Sequence, residues 1–430
     1  MNRRSHGPPR RPPPESQPPD AAESPSAPPS GARQSPWVVL RSATFHPFIF
    51  RRMIGHVDPA ARPGDVVSVY DKSNALFGRG LFNPKSEIVI RMLLHGDAAA
   101  DDAFWQAKLK QAIDLRRQLR LHEQTDAYRL VHAEGDGLSG LIVERYADCL
   151  VLELFSLGMF QRAEQIASWV AAELGPPASL DRPGRAGENW HVLMRADGRV
   201  EHMEGFRVRP QKDAVPPGVV IREHGIRYRV DMAGGHKTGF FCDQRENRRR
   251  LAGLCAEASV LDVCCYTGGF GLAARLLGTA RDVTCVDLDE AALVLARENA
   301  NLNQARIDIV HSDAFVYLRQ MTANRRQYDV VVLDPPKLAR TRDEYEDALR
   351  KYFDLNQVAA GVVRPGGVLL TCSCSGLVSQ GVFIELVHKA VRRAGRAAQL
   401  FDVSGAGPDH PVMLNCPESA YLKALWLRVI

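Results

Sequence analysis

The chain has 430 residues, of which 45% are hydrophobic, and a formal net charge of +5 at pH 7. This length predicts two or three domains, and the hydrophobic content is ample for their cores. The mild basicity permits a nucleic-acid partner without requiring one. The nine cysteines are scattered along the chain, which argues against a disulfide framework and predicts a reducing, cytoplasmic location. Neither a membrane-spanning nor a secretory apolar segment is recognisable, so a membrane protein is not expected.

The segment 1–35 is dominated by proline, serine, arginine and alanine. Such a segment has too few apolar side chains to offset the entropy lost on ordering, so it is predicted to be a disordered tail. Its two Arg-Arg pairs could contact RNA, but a solvated tail is the simpler interpretation.

Residues 36–100 alternate short β-rich runs with turns, which predicts a small β-barrel. Aromatic side chains stand beside arginines here, a combination that can stack on bases and contact phosphates. The alternative is that the aromatics fill the barrel core and the arginines are solvated at its rim. The candidate RNA-binding residues of this segment are Arg51, Arg52, Phe77 and Arg79.

Residues 101–124 are predicted to form an amphipathic helical linker that begins at Asp101-Asp102. Residues 125–215 follow as a predicted α+β domain. The run 219–230 alternates with period two and predicts a hairpin turning at His224-Gly225. A basic helix is expected after Asp243, and its Arg245 and Arg248 are further candidates for RNA binding.

Residues 216–430 contain five apolar strands separated by helical segments, which is typical of a parallel α/β sheet. Residues 260–269 predict an apolar strand that includes Asp262 and a Gly-Gly turn, after which a helix begins. This arrangement binds nucleotide-like ligands. The spacing differs from the dinucleotide fingerprint G-x-G-x-x-G and resembles motif I of the class I S-adenosylmethionine (SAM) methyltransferases. The candidate cofactor-binding residues of this stretch are Asp262, Tyr266, Thr267, Gly268 and Gly269.

The remaining strands also end in chemically useful residues, at the edge where such sheets bind ligands. Asp287 ends the second strand, where an acid can accept both ribose hydroxyls of a nucleoside. Asp313 ends the third, at the position where SAM enzymes bind the adenine amino group. The fourth ends in Asp334-Pro-Pro, and Asp334 is a candidate for both cofactor binding and catalysis. The fifth ends in Cys372-Ser-Cys374. Together these residues predict a SAM-dependent methyltransferase domain.

Four segments, with the ending Asp409-His-Pro…Tyr421-Leu-Lys423, resemble the ribosomal RNA large subunit methyltransferase I family. The segments are 236–248, 262–270, 334–337 and 373–376. The resemblance covers about 37–430. It implies an α/β fold class, namely a C-terminal Rossmann-like SAM methyltransferase with an N-terminal PUA-like β-barrel and a central α+β domain. It also implies 5-methylcytosine formation in 23S ribosomal RNA. Two departures are Cys264, where the family usually has a bulkier apolar residue, and the additional thiol of Cys372.

Carbon 5 of cytosine is a poor nucleophile, so its methylation begins with addition of a thiolate to carbon 6. That chemistry requires a cysteine within reach of a flipped-out base. Cys374 lies just beyond the fifth strand and is the predicted nucleophile, whereas Cys372 lies one pleat deeper and is predicted to be packed. By the resemblance, Asp334 pairs with the polar edge of the cytosine.

Other interpretations stay open. Asp-Pro-Pro also serves exocyclic-amine methyltransferases, and related enzymes methylate guanine, although an aromatic residue follows the motif there and Lys337 follows it here. Lys337 also holds the place of the second thiol of two-cysteine enzymes, so the group that removes the carbon-5 proton is not identified. A SAM-binding RNA-binding protein with little catalysis is a third interpretation. No metal is predicted, and a homodimer is left open.

Five further cysteines are expected to be packed in the interior: Cys149, Cys255, Cys264, Cys265 and Cys285.

Overall fold

The structure is a computed structural model that describes residues 33–177, 189–209, 216, 218–232 and 240–430. The predicted disorder of the tail concerns residues that lie almost wholly outside this range. The first residues of the family-like segment 236–248 also lie outside it. Among the described residues, no helix is both long and apolar enough to cross a membrane.

A six-stranded sheet occupies the first part of the described chain. Its strands are β1 (Trp37–Leu40), β2 (Phe48–Phe50), β3 (Ile54–Val57), β4 (Val66–Tyr70), β5 (Leu76–Phe82) and β6 (Ile88–His95). They lie in the order β2-β6-β5-β4-β1-β3, and every pairing is antiparallel except that of β1 with β4. Its core is aliphatic, with Val38, Ile49, Val67 and Ile90 fully buried. The sheet is the small β-domain expected from the sequence.

A helical stretch and a four-stranded sheet follow. The elements are α1 (Asp102–Gln118), α2 (Leu121–Gln124), β7 (Ala127–His132), β8 (Leu141–Tyr146), β9 (Cys149–Leu154), α3 (Leu157–Leu174), β10 (His191–Arg195) and α4 (Gly198–Glu204). The carboxylate of Asp101 accepts a hydrogen bond from the Phe104 backbone amide, so it caps α1 as the sequence indicated. The next two strands, β11 (Gly218–Glu223) and β12 (Ile226–Asp231), form the predicted hairpin.

The last sheet has seven strands: β13 (Ser259–Val263), β14 (Asp282–Asp287), β15 (Asp308–His311), β16 (Tyr328–Leu333), β17 (Val363–Ser373), β18 (Ala398–Ser404) and β19 (Lys423–Val429). Its helices are α5 (Arg245–Ala252), α6 (Gly269–Leu276), α7 (Glu290–Leu302), α8 (Ala314–Ala323), α9 (Tyr345–Gly361) and α10 (Gln380–Arg393). The first five strands are parallel, as predicted. The sequence did not predict β18 and β19; β19 pairs antiparallel with both β17 and β18.

The strand order, β15-β14-β13-β16-β17-β19-β18, places the reversal of direction between β13 and β16. Ligands of open parallel sheets bind at such a reversal, beyond the carboxyl ends of the strands. Because β19 is antiparallel, its first residue, Lys423, lies opposite Ser373, the last residue of β17. The fold therefore gathers the ends of β13, β14, β16 and β17 and the start of β19 at one edge.

Candidate active site

The loop after β13 is shaped for a ligand by one buried acid. Asp262 is fully buried, and its Oδ2 accepts a hydrogen bond from the Gly271 backbone amide at 2.9 Å. Its Oδ1 is buried and has no hydrogen-bond partner within the described structure. Burial, with the nearby acids Asp334 and Asp287, raises the pKa of the Asp262 carboxyl to about 7. A buried oxygen without a partner is costly unless a ligand supplies the missing donor.

A second acid clamps the same loop from β14. The Asp287 carboxylate accepts hydrogen bonds from the backbone amides of Tyr266, at 2.8 Å, and Asp289, at 2.9 Å. Tyr266 and Gly268 adopt positive φ angles of 50° and 80°, in the left-handed region that is unfavourable for tyrosine. The loop thus turns tightly over the end of β13, and α6 begins directly at Gly269.

The other predicted cofactor residues lie around this loop. The Thr267 side chain is buried, and its carbonyl accepts a hydrogen bond from Asn299 on α7. Asp313 caps α8 by accepting from the Val316 backbone amide. Both acids, Asp287 at the end of β14 and Asp313 just after β15, are half-buried and lie at the edge at which ligands of such sheets bind.

Asp334 follows β16 and is oriented by residues that sequence reasoning missed. Gln244 donates a hydrogen bond from Nε2 to Asp334 Oδ2 at 3.0 Å. Asn247 in turn donates to Gln244 Oε1 at 2.6 Å. The run 243–247 stood in the family-like segment, but nothing in its local pattern indicated a partner 90 residues away.

The two thiols of β17 have different environments. Cys372 is fully buried in the core, as expected from its position one pleat deeper. Its burial, followed by the charge of Asp334, raises the pKa of the Cys372 thiol well above its usual range. Cys374 follows the strand and is half-buried. Of the cysteines expected to be packed, Cys264 alone is half-buried, while the others are buried: Cys149, Cys255, Cys265 and Cys285.

A lysine also lies at this edge. Lys423 is buried, and its Nζ donates hydrogen bonds to the carbonyls of Ser375, at 2.7 Å, and Tyr421, at 2.8 Å. Burial lowers the pKa of Lys423 to about 8, an effect opposed by Cys374 and reinforced by Lys337. The sequence placed Lys423 in the family-like ending without assigning it a role.

Two of the predicted RNA-binding residues are corrected by their burial. Arg245 is fully buried and donates to Asp409 Oδ1 at 2.6 Å. Arg248 is also buried, and its Nε and Nη2 donate to the two carboxylate oxygens of Glu223 at 2.7 Å each. Charged side chains of an interior ion pair cannot form part of a positive surface, so both are structural. The exposed arginines of α5 are Arg249 and Arg250.

The barrel candidates are accessible to different degrees. Arg51 and Arg52 are exposed, and Arg51 donates to the carbonyls of Pro84 and Ser86. Arg79 is half-buried and donates to Ala98 O and Ser68 Oγ. Phe77 packs against two further rings, those of Phe45 and His95. Phe45, which the sequence analysis did not single out, is 66% exposed.

One cluster has the composition of a metal site, with His46, Cys416 and Glu418 close together. However, His46 Nδ1 accepts a hydrogen bond from the Phe48 backbone amide. The ring proton therefore belongs on Nε2, which lies 3.2 Å from Glu418 Oε2 and donates to it. With both ring nitrogens engaged, the cluster is a hydrogen-bonded contact between the barrel and the loop before β19.

A cavity of about 610 Å³ lies at the opposite edge of the sheet, lined by Ser259, Asp329 and Arg364 among others. These residues belong to the amino ends of β13, β16 and β17. The cavity is therefore remote from the ends that carry Asp334 and Cys374, and we place the candidate site at the carboxyl edge instead.

Comparisons with known proteins identify the domains of the chain. A family model described as S-adenosylmethionine-dependent methyltransferase matches residues 213–428, and one described as PUA-like domain matches residues 40–94. The catalytic domain is therefore SAM-dependent.

Solved structures support the fold. A candidate SAM-dependent methyltransferase from Streptococcus mutans has a TM-score of 0.74 at 18% identity, covering 91% of this chain and 100% of its own. A second solved structure, that of a candidate methyltransferase complexed with SAH, has a TM-score of 0.73 at 20% identity, and the match covers 89% of this chain and 96% of that one.

Curated relatives are more similar in sequence. The ribosomal RNA large subunit methyltransferase I of Aliivibrio fischeri is 36% identical over 392 residues, which cover 90% of this chain and 96% of the relative. The protein of the same name from Klebsiella pneumoniae is 35% identical over 393 residues, covering 90% and 94%. The chain therefore belongs to the ribosomal RNA large subunit methyltransferase I family.

Proposed function

We propose that this protein transfers a methyl group from SAM to carbon 5 of a cytosine in the RNA of the large ribosomal subunit. The observation that carries the proposal is the pair of residues that follow adjacent strands. Asp334 follows β16 and Cys374 follows β17, and the two strands are hydrogen-bonded neighbours up to Leu333 and Thr371. A carboxyl group and a half-buried thiol thus share the edge that also carries the cofactor loop.

The cofactor would be held by the residues of that loop and of β14. Asp262, with its unpaired buried oxygen, and Asp287, with a carboxylate facing the edge, offer acceptors to the cationic and hydroxyl groups of SAM. SAM supplies an electrophilic methyl group when bound. The adenine contact of Asp313 is part of the same proposal.

The protein's own groups would act on the base in sequence. The Cys374 thiolate adds to carbon 6, and the electron pair displaced by this addition is drawn toward ring nitrogen 3, where Asp334 supports it. Carbon 5 then forms its bond to the methyl group as the bond between that methyl and the sulfonium sulfur breaks, which leaves S-adenosylhomocysteine. Loss of the carbon-5 proton and release of the Cys374 sulfur restore the aromatic ring, which leaves the enzyme thiolate as it began.

The RNA would approach along the barrel. The relatives are named for action on large-subunit ribosomal RNA, and the PUA-like match covers the barrel. We propose that Arg51, Arg52, Phe77 and Arg79 contact this RNA, with Arg245 and Arg248 removed from that set. Exposed arginines neutralise phosphates, and a half-buried ring offers a face for stacking.

Methyl transfer from tritiated SAM to undermethylated ribosomal RNA tests the proposal. We expect label in 5-methylcytosine, no transfer by Cys374→Ala, and most of the activity in Cys372→Ala, the matched control two residues away. Calorimetry should find SAM bound by both variants, because neither thiol belongs to the cofactor loop. Label in guanine or in an exocyclic amine would instead support the alternative use of Asp-Pro-Pro. Full activity of Cys374→Ala would overturn the assignment of the nucleophile.

A further inference from the structure

A chain of hydrogen bonds runs from the core of the last sheet to the carboxyl group of Asp334. It begins at Trp426 on β19, whose Nε1 lies 2.7 Å from Ser404 Oγ. Ser404 Oγ lies 2.8 Å from Asn247 Oδ1. The chain continues through Asn247 and Gln244, at 2.6 Å, to Asp334 Oδ2 at 3.0 Å. The bonds of 2.7, 2.8 and 3.0 Å have ordinary lengths, and the bond between Asn247 and Gln244 is slightly short.

The direction of the bonds in this chain is fixed by two groups that each have a single role, the Trp426 indole nitrogen and the Gly405 carbonyl. An indole nitrogen can only donate, so Ser404 Oγ accepts from Trp426 and uses its own hydrogen toward Asn247 Oδ1. The amide nitrogen of Asn247 then faces Gln244, and it also donates to the Gly405 carbonyl at 3.1 Å, a group that can only accept. The Gln244 carbonyl oxygen is thereby occupied, so its NH2 group faces Asp334.

The chain is protected from water for most of its length. Trp426 is fully buried, and Asn247 and Gln244 are buried. Inside a protein, a hydrogen bond of an amide to a carboxylate is stronger than in water, and an amide turned the wrong way would leave polar atoms unpaired. The orientation of Gln244 is therefore held firmly by groups that never approach the substrate.

We propose that Gln244 and Asn247 are positioning residues that fix which oxygen of Asp334 carries a proton. This proposal rests on the proposed function. Because Asp334 Oδ2 accepts from Gln244, a proton on Asp334 is favoured on Oδ1. When the Cys374 sulfur bonds to carbon 6, the displaced electron pair moves to ring nitrogen 3, which takes that proton and returns it to Asp334 when the sulfur leaves. The carboxylate left on Asp334 is then stabilised by the Gln244 N–H, a hydrogen bond that strengthens as the negative charge develops.

The prediction concerns pH, so the other ionisable groups near Asp334 matter. Those that interact with it electrostatically are Asp262 on β13, Cys264 after β13 and Cys372 on β17. Asp287 on β14 interacts with the first two, and Cys374 and Asp243 interact with the third. None of them is removed by changing Asn247 or Ser404. Asn247→Asp also adds a charge beside them, whereas Ser404→Ala weakens the hydrogen-bond chain without adding one, so the two variants together separate the chain from the added charge.

Asn247→Asp reverses the chain without changing the size of the side chain. An aspartate at 247 accepts from the Gln244 NH2, so Gln244 must present its carbonyl oxygen to Asp334, which then holds its proton on Oδ2 and away from the base. We expect kcat to fall about ten- to a hundredfold and the limb of the pH profile due to Asp334 to move to higher pH. KM for SAM should not change. Ser404→Ala, which removes one fixing bond, should reduce kcat only a few-fold.

Two further variants keep the test decisive. Asn324→Asp makes the same amide-to-acid change at an exposed position and should leave the pH profile unchanged. If Asn247→Asp does not fold, Gln244→Glu places a second carboxyl 3.0 Å from Asp334 Oδ2, so the pair shares a proton and the limb again moves to higher pH. Unchanged kcat and pH profile in folded Asn247→Asp and Gln244→Glu would overturn the proposal, even if Cys374 proves essential. Activity of Cys374→Ala would instead refute the proposed function itself.

Discussion

At the scale of single residues, Asp262 and Asp287 shape the loop after β13 and remain able to bind a ligand. Asp287 shows this clearly, since the amides of Tyr266 and Asp289 each occupy one oxygen of its carboxylate. A carboxylate oxygen has two acceptor positions, so both oxygens keep one for a hydroxyl group. The acid that shapes the loop can therefore also bind the ribose.

Removal of that carboxylate should weaken cofactor binding. Asp287→Ala loses two acceptors for hydroxyls, and each hydrogen bond to a charged group contributes about 1.5–3 kcal/mol. We expect the affinity for SAM to fall by roughly one to two decades, measured by calorimetry. Asp287→Asn keeps one acceptor oxygen and should show a smaller loss. Unchanged affinity in folded Asp287→Ala would show that the ribose lies elsewhere.

At the scale of elements, helix α5 connects the hairpin of β11 and β12 to the carboxyl edge of the last sheet. Arg248 forms a buried, two-pronged ion pair with Glu223 at the end of β11, while Gln244 just before the helix holds Asp334. The same eight-residue helix has Arg249 and Arg250 on its exposed side. Neighbouring arginines of one short helix therefore differ in role: the buried one forms an ion pair inside the protein, and the exposed ones face solvent.

Arg248→Met should destabilise the protein without a direct effect on RNA contacts. Loss of one partner of a buried ion pair leaves an uncompensated charge, at a cost of about 3–5 kcal/mol in the free energy of unfolding. Arg249→Met, one position along, should change that free energy by no more than about 0.5 kcal/mol. Chemical denaturation measures both. A stable Arg248→Met with weakened RNA binding would restore the interpretation of Arg248 as an RNA contact.

The five parallel strands could be predicted because each is a short apolar run that ends in an acid, a Gly-Gly turn or a cysteine. The same pattern placed Asp262, Asp334 and Cys374 at one edge, because the ends of parallel strands meet there. Strand β18 was not predicted, because its exposed Leu400 and Phe401 obscure the alternation of apolar and polar residues that is typical of a half-buried strand.

The partners of charged and polar side chains could not be predicted from local pattern. Arg245 pairs with Asp409, 164 residues away, and Ser404 holds Asn247 across 157 residues. Such contacts exist only once the sheet has formed, so a basic run in the sequence looks solvated. For Lys423, the sequence showed only that it belongs to the family-like ending. Its burial could not be predicted, because it depends on the antiparallel pairing of β19 with β17.

At the scale of the whole molecule, the barrel touches the loop that leads into β19. Asn415 donates to the Phe45 carbonyl, and His46 donates to Glu418. The same stretch continues to Lys423 at the catalytic edge. This loop therefore connects the barrel, where we propose that RNA binds, with the edge that carries Cys374.

Binding of ribosomal RNA should depend strongly on salt if the barrel arginines contact phosphates. Each phosphate contact adds about 0.7–0.9 to the slope of log affinity against log salt, so Arg51→Ala with Arg52→Ala should reduce the slope by roughly one to two. Arg392→Ala with Arg393→Ala removes two exposed arginines of α10 and is the matched control. Deletion of 1–35 should change little. An equal loss in both double variants would argue for non-specific attraction by net charge.

The central claim is that Cys374 bonds covalently to a cytosine, and trapping that bond tests it most directly. RNA that carries 5-fluorocytosine at the target cannot lose its carbon-5 substituent, so the sulfur stays attached after methyl transfer. Peptide mass spectrometry of the wild-type protein incubated with this RNA and SAM should locate the adduct on Cys374. The adduct should be absent from Cys374→Ala and present in Cys372→Ala. Attachment at Cys372, or no adduct with an RNA that the enzyme methylates, would contradict the account.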